Sequence, residues 1–131
     1  MLLLTLLGFV VFGNVLEAPF HYDDLHSIKY NPHIRTLAGV PDHFVDPGTF
    51  SSRVRGFMYR PVLMTSYSLD YALWGGDAGG FRVSNLLLHV IASSLFGLLM
   101  GRWVGSGATA GAAVLFLVHP LHGETVDYLS S

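Results

Sequence analysis

Apolar residues along this chain gather into three runs, separated by one long interval rich in polar and aromatic side chains. The first run, Met1 to Leu16 (MLLLTLLGFVVFGNVL), has no charged side chain, and only Thr5 and Asn14 interrupt it. As a helix rising 1.5 Å per residue it would reach roughly 24 Å, somewhat less than a bilayer core of about 30 Å. It is therefore expected to cross with little tilt, or to begin further upstream. A secretory signal peptide is the competing reading, weakened by the lack of a basic leading segment and by a poor cleavage site at VLEA. The second run extends from about Val83 to Gly101 and the third from about Trp103 to Val118. Only Gly101, Arg102 and Trp103 lie between them, which predicts a tight helical hairpin with an interfacial Trp.

The pattern predicts an all-α membrane protein with three transmembrane helices at 1–16, 83–101 and 103–118. A large first loop fills 17–82, and a second loop begins at 119–131. Small residues recur at spacing four, Ser93, Gly97 and Gly101 on the second span and Gly107 and Gly111 on the third. Such faces permit the close backbone approach that packing inside lipid requires. Three crossings also place the stretches after spans one and three, HYDDLH and HPLHGE, on the same side. Arg102 in the short loop assigns that loop to the cytoplasm and makes the long loop extracytoplasmic, although six of the seven basic residues lie in the long loop.

Within the long loop, Pro32, Pro41 and Pro47 predict turn and coil. From Pro61 to Trp74 the positions Leu63, Tyr67, Tyr71 and Trp74 follow helical spacing, and Pro61 suits a first helical turn. This predicts a helix lying at the membrane interface with its aromatics at headgroup depth; the alternative is a buried helix of a soluble loop domain. WGGDAGG then breaks the helix before the second span.

Composition agrees with a membrane setting: of 131 residues 51% are hydrophobic and 12% charged, against about 25% charged in an average soluble domain. A net charge of -2 with scattered basic residues gives nucleic acid no surface, and the lack of cysteine excludes thiol chemistry and disulfides.

Several polar groups stand out against this background. Asp23 and Asp24 adjoin an apolar segment, where one carboxylate could act as general base while the other supports it; in an extended segment their side chains point opposite ways. A solvated Asx turn or helix cap is the plain alternative. His119, His122 and Glu124 form HPLHGE, whose imidazoles could bind a divalent ion or donate to a phosphate, although the spacing matches no strong zinc signature. Asn85 and His89, four apart, share a face of the second span, either as functional groups or as an interhelical hydrogen bond. Arg60 suits a phosphate or lipid headgroup, or simply snorkels.

The order of these stretches carries a resemblance. FHYDDLHSIKYNPHI, YRPVLMTSYSLDYALWG, FRVSNLLLH and HPLHGETVDYLSS together resemble the N-terminal region of membrane O-mannosyltransferase-like proteins with tetratricopeptide repeats, of the C-type glycosyltransferase superfamily. The resemblance covers essentially the whole chain. It implies the first part of a C-type glycosyltransferase fold and the transfer of a mannose-like sugar from a polyprenyl-phosphate donor to an acceptor hydroxyl on a protein or glycan. The membrane would be a bacterial inner membrane or the endoplasmic reticulum, with catalysis on the extracytoplasmic or lumenal side. It also implies catalysis by Asp24 with Asp23 in support, donor phosphate at Arg60, and supporting or substrate-binding roles for Asn85, His89, His119, His122 and Glu124. A divalent cation, magnesium or manganese, has Asp23, Asp24 and His122 as candidate ligands. Family members continue through further spans and repeats, so the chain is expected to be an N-terminal fragment, inactive by itself.

Two other readings compete. One is a metal-binding membrane protein using His21, Asp23, Asp24, His26, His119, His122 and Glu124. The other is a non-catalytic helical assembly subunit that packs through its glycine faces.

Overall fold

The computed structural model describes residues 1–53 and 58–129, except for the side chains of Glu124, Thr125 and Asp127. The described residues are helical or turn-like, with no strand among them. Five α-helices are formed: α1 (Leu2–Phe12), α2 (Pro61–Trp74), α3 (Ala78–Val104), α4 (Ala108–Leu117) and α5 (His122–Asp127). The chain divides into two units, Met1–Glu17 with Arg82–Leu129, and Ala18–Phe81.

In the helical unit, α1 tightens into a 3₁₀ turn over Gly13–Glu17. Phe12, Leu86, Val90, Leu117 and Val126 form the core, with Leu4, Leu7, Phe9 and Val118 packed on it. Gly8 lets α1 sit close to α3, since a Cβ there would lie 3.2 Å from the Val90 side chain and 3.4 Å from that of Leu86.

The second and third apolar runs are divided differently from the expected hairpin. α3 has 27 residues, about 40 Å of helix, and among the described residues it is the one helix long and apolar enough to cross a membrane. It absorbs Arg102, Trp103 and Val104, because the reversal falls instead at Gly105, whose φ of 117° suits glycine and no other residue. What is left for α4 is 10 residues, about 15 Å, half a bilayer core. The small-residue pairing also differs. A Cβ at Gly97 would lie 2.6 Å from both the Ala113 Cβ and the Thr109 carbonyl oxygen, and one at Gly101 would collide with the Thr109 side chain. Thr109 and Ala113 are therefore the partners on α4, whereas Gly107 and Gly111 face open space.

The loop unit is built from short turns around α2. A wide π turn at Leu25–Lys29 is followed by 3₁₀ turns at Pro32–Ile34, Leu37–Phe44 and Pro47–Phe50. Two of these start with the same device: Asn31 Oδ1 accepts from His33 N at 3.0 Å, and Asp46 Oδ1 accepts from Gly48 N at 2.8 Å, each with proline at the first position. The side-chain amide of buried Asn31 also donates to the carbonyls of Ser27, Thr49 and Phe50, at 3.1, 2.9 and 3.2 Å. One residue thus ties three turns together.

α2 begins with Pro61 and ends where Gly75 adopts a φ of 63°. It buries Met64, Tyr67 and Ser68, so of the spaced positions Leu63, Tyr67, Tyr71 and Trp74 only Tyr67 is fully buried. Tyr71 instead accepts a hydrogen bond from Arg35 at 2.8 Å, and Trp74 lies against Gly80. The glycine-rich break is confined to Gly75–Asp77, because Asp77 Oδ2 accepts from Gly80 N at 2.8 Å and starts α3 earlier than the apolar run does.

Candidate functional site

The two aspartates follow a backbone reversal at Tyr22, whose φ of 37° is unusual for a bulky residue. The segment is a turn and not the extended piece expected. Asp24 N donates to His21 O at 2.8 Å, and Asp24 Oδ2 accepts from His21 N at 3.2 Å. The turn still separates the carboxylates: Asp24 is 0% exposed, while the Asp23 side chain is 74% exposed.

Asp23 is held from the inner side by His26, whose side chain is 14% exposed. The His26 Nε2–H donates to Asp23 Oδ1 at 3.3 Å, and its Nδ1 lies 3.0 Å from Ser51 Oγ. Arg53 N donates to that same oxygen at 3.0 Å, which leaves the Ser51 hydroxyl proton for the ring and puts the imidazole proton on Nε2. Sequence spacing had no means of finding Ser51, since it reaches His26 across 25 residues.

Tyr67, placed by the sequence among the aromatics at headgroup depth, is instead 3% exposed. Its phenol is pushed up by burial first and by the Asp24 carboxylate second, while Arg60 acts in the opposite direction and Asp70 adds to the rise. Asp24 and Arg60, selected separately from the sequence, thus act on one buried hydroxyl. The spacing of seven between Arg60 and Tyr67, two helical turns, is the signal that could have joined them. Arg60 caps α2 with its guanidinium 6.0 Å from the centre of the Phe50 ring, at the limit of a cation–π contact.

In the helical unit His89 is buried and its Nε2–H donates to the Leu117 carbonyl at 3.0 Å, a hydrogen bond from α3 to α4. Around it the rings form a cluster. His122 lies 5.0 Å from His89, 4.3 Å from Phe116 and 5.9 Å from His119 between ring centres. The His122 imidazolium is disfavoured by burial first and then by the neighbouring His89 and His119 rings. His119 Nδ1 accepts from Leu121 N at 3.3 Å, which leaves Nε2 as its proton carrier. Asn85 and His89 line a cavity of about 420 Å³ together with Phe116 and His122. Glu124 falls within α5, and its side chain lies outside the described residues. Among the described residues no group of three or more His, Asp or Glu is gathered to hold a metal ion. The Asp23 and Asp24 carboxylates, facing apart, do not make a shared pair of ligands.

No family model matches the chain, and no solved structure matches it. Curated relatives do. Protein O-mannosyl-transferase tmtc2 of Xenopus laevis is 34% identical over 96% of this chain. Tmtc2 of Drosophila melanogaster is 35% identical over 92%, and human TMTC4 is 30% identical over 89%. The chain spans 16%, 13% and 18% of the length of these relatives. Across about nine-tenths of its residues or more, the chain is homologous to the protein O-mannosyl-transferases and shares a stretch of that family of glycosyltransferases.

Proposed function

We propose that this chain is a segment of a membrane glycosyltransferase that moves mannose from a polyprenyl-phosphate donor to a hydroxyl of a protein acceptor. The observation that carries the reading is the Asp24 centre: a wholly buried carboxylate two residues beyond the positive-φ turn at Tyr22, in the same unit as Arg60. It sits in a homologue of proteins named for mannosyl transfer to protein.

In this reaction the acceptor O–H gives its proton to the Asp24 carboxylate as its oxygen attacks C1 of the sugar. The bond from C1 to the donor phosphate oxygen breaks, and its electron pair leaves with the polyprenyl phosphate. Arg60 neutralises the charge that develops there, as a fixed cation does for a leaving phosphate. Asp23, fixed by His26, supports the turn that aims Asp24. Asn85, His89, His119, His122 and Glu124 belong to substrate binding or its support. A bound magnesium or manganese ion would add charge at the phosphate, but the described residues gather no ligand set for one, and no step above needs it.

The setting is an extracytoplasmic or lumenal membrane face, in a bacterial inner membrane or the endoplasmic reticulum, with α2 at the interface. The exposed apolar residues Val62, Leu69 and Leu73 on α2 support that placement. The test supplies membranes containing the protein with radiolabelled mannosyl polyprenyl phosphate and a serine- or threonine-bearing peptide. Label is expected on the peptide; label taken only from a sugar nucleotide, with no lipid carrier, would contradict the donor.

A further inference from the structure

A row of side chains in the loop unit extends beyond the groups used in the proposed transfer. The Ser51 hydroxyl donates to His26 Nδ1 at 3.0 Å, and Nε2–H of the same ring donates to Asp23 Oδ1 at 3.3 Å. Ser, His and Asp in that order are the groups of a nucleophilic triad, but here the exposure runs the wrong way. Ser51 is 5% exposed and its oxygen already accepts from Arg53 N at 3.0 Å, while Asp23 is the end that meets solvent. An oxygen so covered is not open to a substrate, so the row holds and does not attack.

The firm end of the row is Ser51. A bond to an exposed carboxylate adds little, because water competes for both partners, whereas the covered Ser51 contact has no such competitor. Three consecutive residues converge on His26. The Phe50 ring stands edge-on to it at 6.4 Å between centres, the Ser51 hydroxyl takes Nδ1, and Ser52 N donates to the His26 carbonyl at 2.9 Å. His26 in turn closes the turn that carries Asp24, since His26 N and Ser27 N both donate to the Asp23 carbonyl, at 3.2 and 3.0 Å. We infer that Ser51 is a positioning residue for the transfer: through the His26 ring it fixes the turn that holds Asp24 in place to receive the acceptor proton. The inference rests on the proposed role of Asp24 as base.

The experiment compares the wild-type protein with Ser51→Ala, His26→Gln and the double variant. Mannosyl transfer is measured in membranes at equal levels of folded protein, and amide hydrogen exchange is followed on the full chain in nanodiscs. Ser51→Ala deletes the donor, whereas His26→Gln keeps an N–H for Asp23 and leaves no atom in the place of Nδ1. Each single change should lower kcat about tenfold, the effect of one buried hydrogen bond. The KM for the lipid-linked donor should stay the same, because the uniform binding of that donor is not touched. Both changes break one contact, so the double variant should also fall about tenfold and not about a hundredfold. Exchange at the amides of Asp24, His26 and Ser27 should quicken more than exchange within α2. Wild-type kcat in Ser51→Ala, additive losses in the double variant, or a change in KM alone would overturn the inference. So would unchanged exchange at the turn in Ser51→Ala, whether or not mannose is transferred. A wild-type protein that transfers no mannose while Ser51→Ala loosens the turn would count against the proposed reaction alone.

Discussion

His43 and Asp24 are both buried in the loop unit, yet they place different demands on it. His43 Nε2 lies 3.0 Å from Ser68 Oγ, and that hydroxyl already donates to Met64 O at 3.0 Å. The ring must therefore donate from Nε2, which leaves Nδ1 as a buried acceptor with no hydrogen-bond partner among the described residues. Burial first, and the His33 charge second, hold the folded imidazole below its ordinary value, against a smaller opposing effect of Asp42. The unfolded chain then binds the proton more readily, so this contribution is complete above about pH 6.5 and declines as pH falls below it. Thermal unfolding of the wild-type protein from pH 8 to pH 5 should show this acid loss, and His43→Gln, which keeps a donor for Ser68, should remove that component. Equal acid sensitivity in both proteins would clear His43 of the effect. The aspartates were legible as a pair with one inward and one outward member, but for a different reason. An extended strand would have separated them by alternation; a turn strained at Tyr22 does so instead. Asn31 and Ser51 were not legible, since their partners lie across the loop and no local spacing encodes them.

At the scale of elements, hydropathy marks apolar runs but not where a helix stops. α2 occupies the stretch from which helical spacing was read, because Pro61 and Gly75 bracket it. The boundary of α3 and α4 was missed because the turn depends on the backbone freedom of Gly105, which hydropathy does not register. The glycine face on α3 was legible and its partner was not: Gly97 meets Thr109 and Ala113. Gly97→Val should force the two helices apart and lower stability by about 1–3 kcal/mol, the usual range for overpacking. Gly107→Ala and Gly111→Ala meet open space and should not lower it. Unfolding in detergent measures all three, and a tolerated Gly97→Val would contradict the packing described.

For the whole molecule, membrane character was readable from the long apolar runs and low charge, whereas the number of crossings depends on helix length, which only the folded backbone supplies. With α3 as the helix long enough to cross, the segments on either side of it should face opposite sides. The chain has no cysteine, so Tyr59→Cys and Ser106→Cys each provide one label site. An impermeant thiol reagent on sealed vesicles should modify one and spare the other; modification of both from the same side would refute a crossing by α3.

The most direct test of the central claim compares Asp24→Asn with Asp23→Asn in mannosyl transfer from the lipid-linked donor, at equal membrane levels of protein. Loss of a general base predicts a fall of roughly 10²–10⁴-fold for Asp24→Asn, with Asp23→Asn retaining most of the rate. Wild-type transfer by Asp24→Asn would contradict the account.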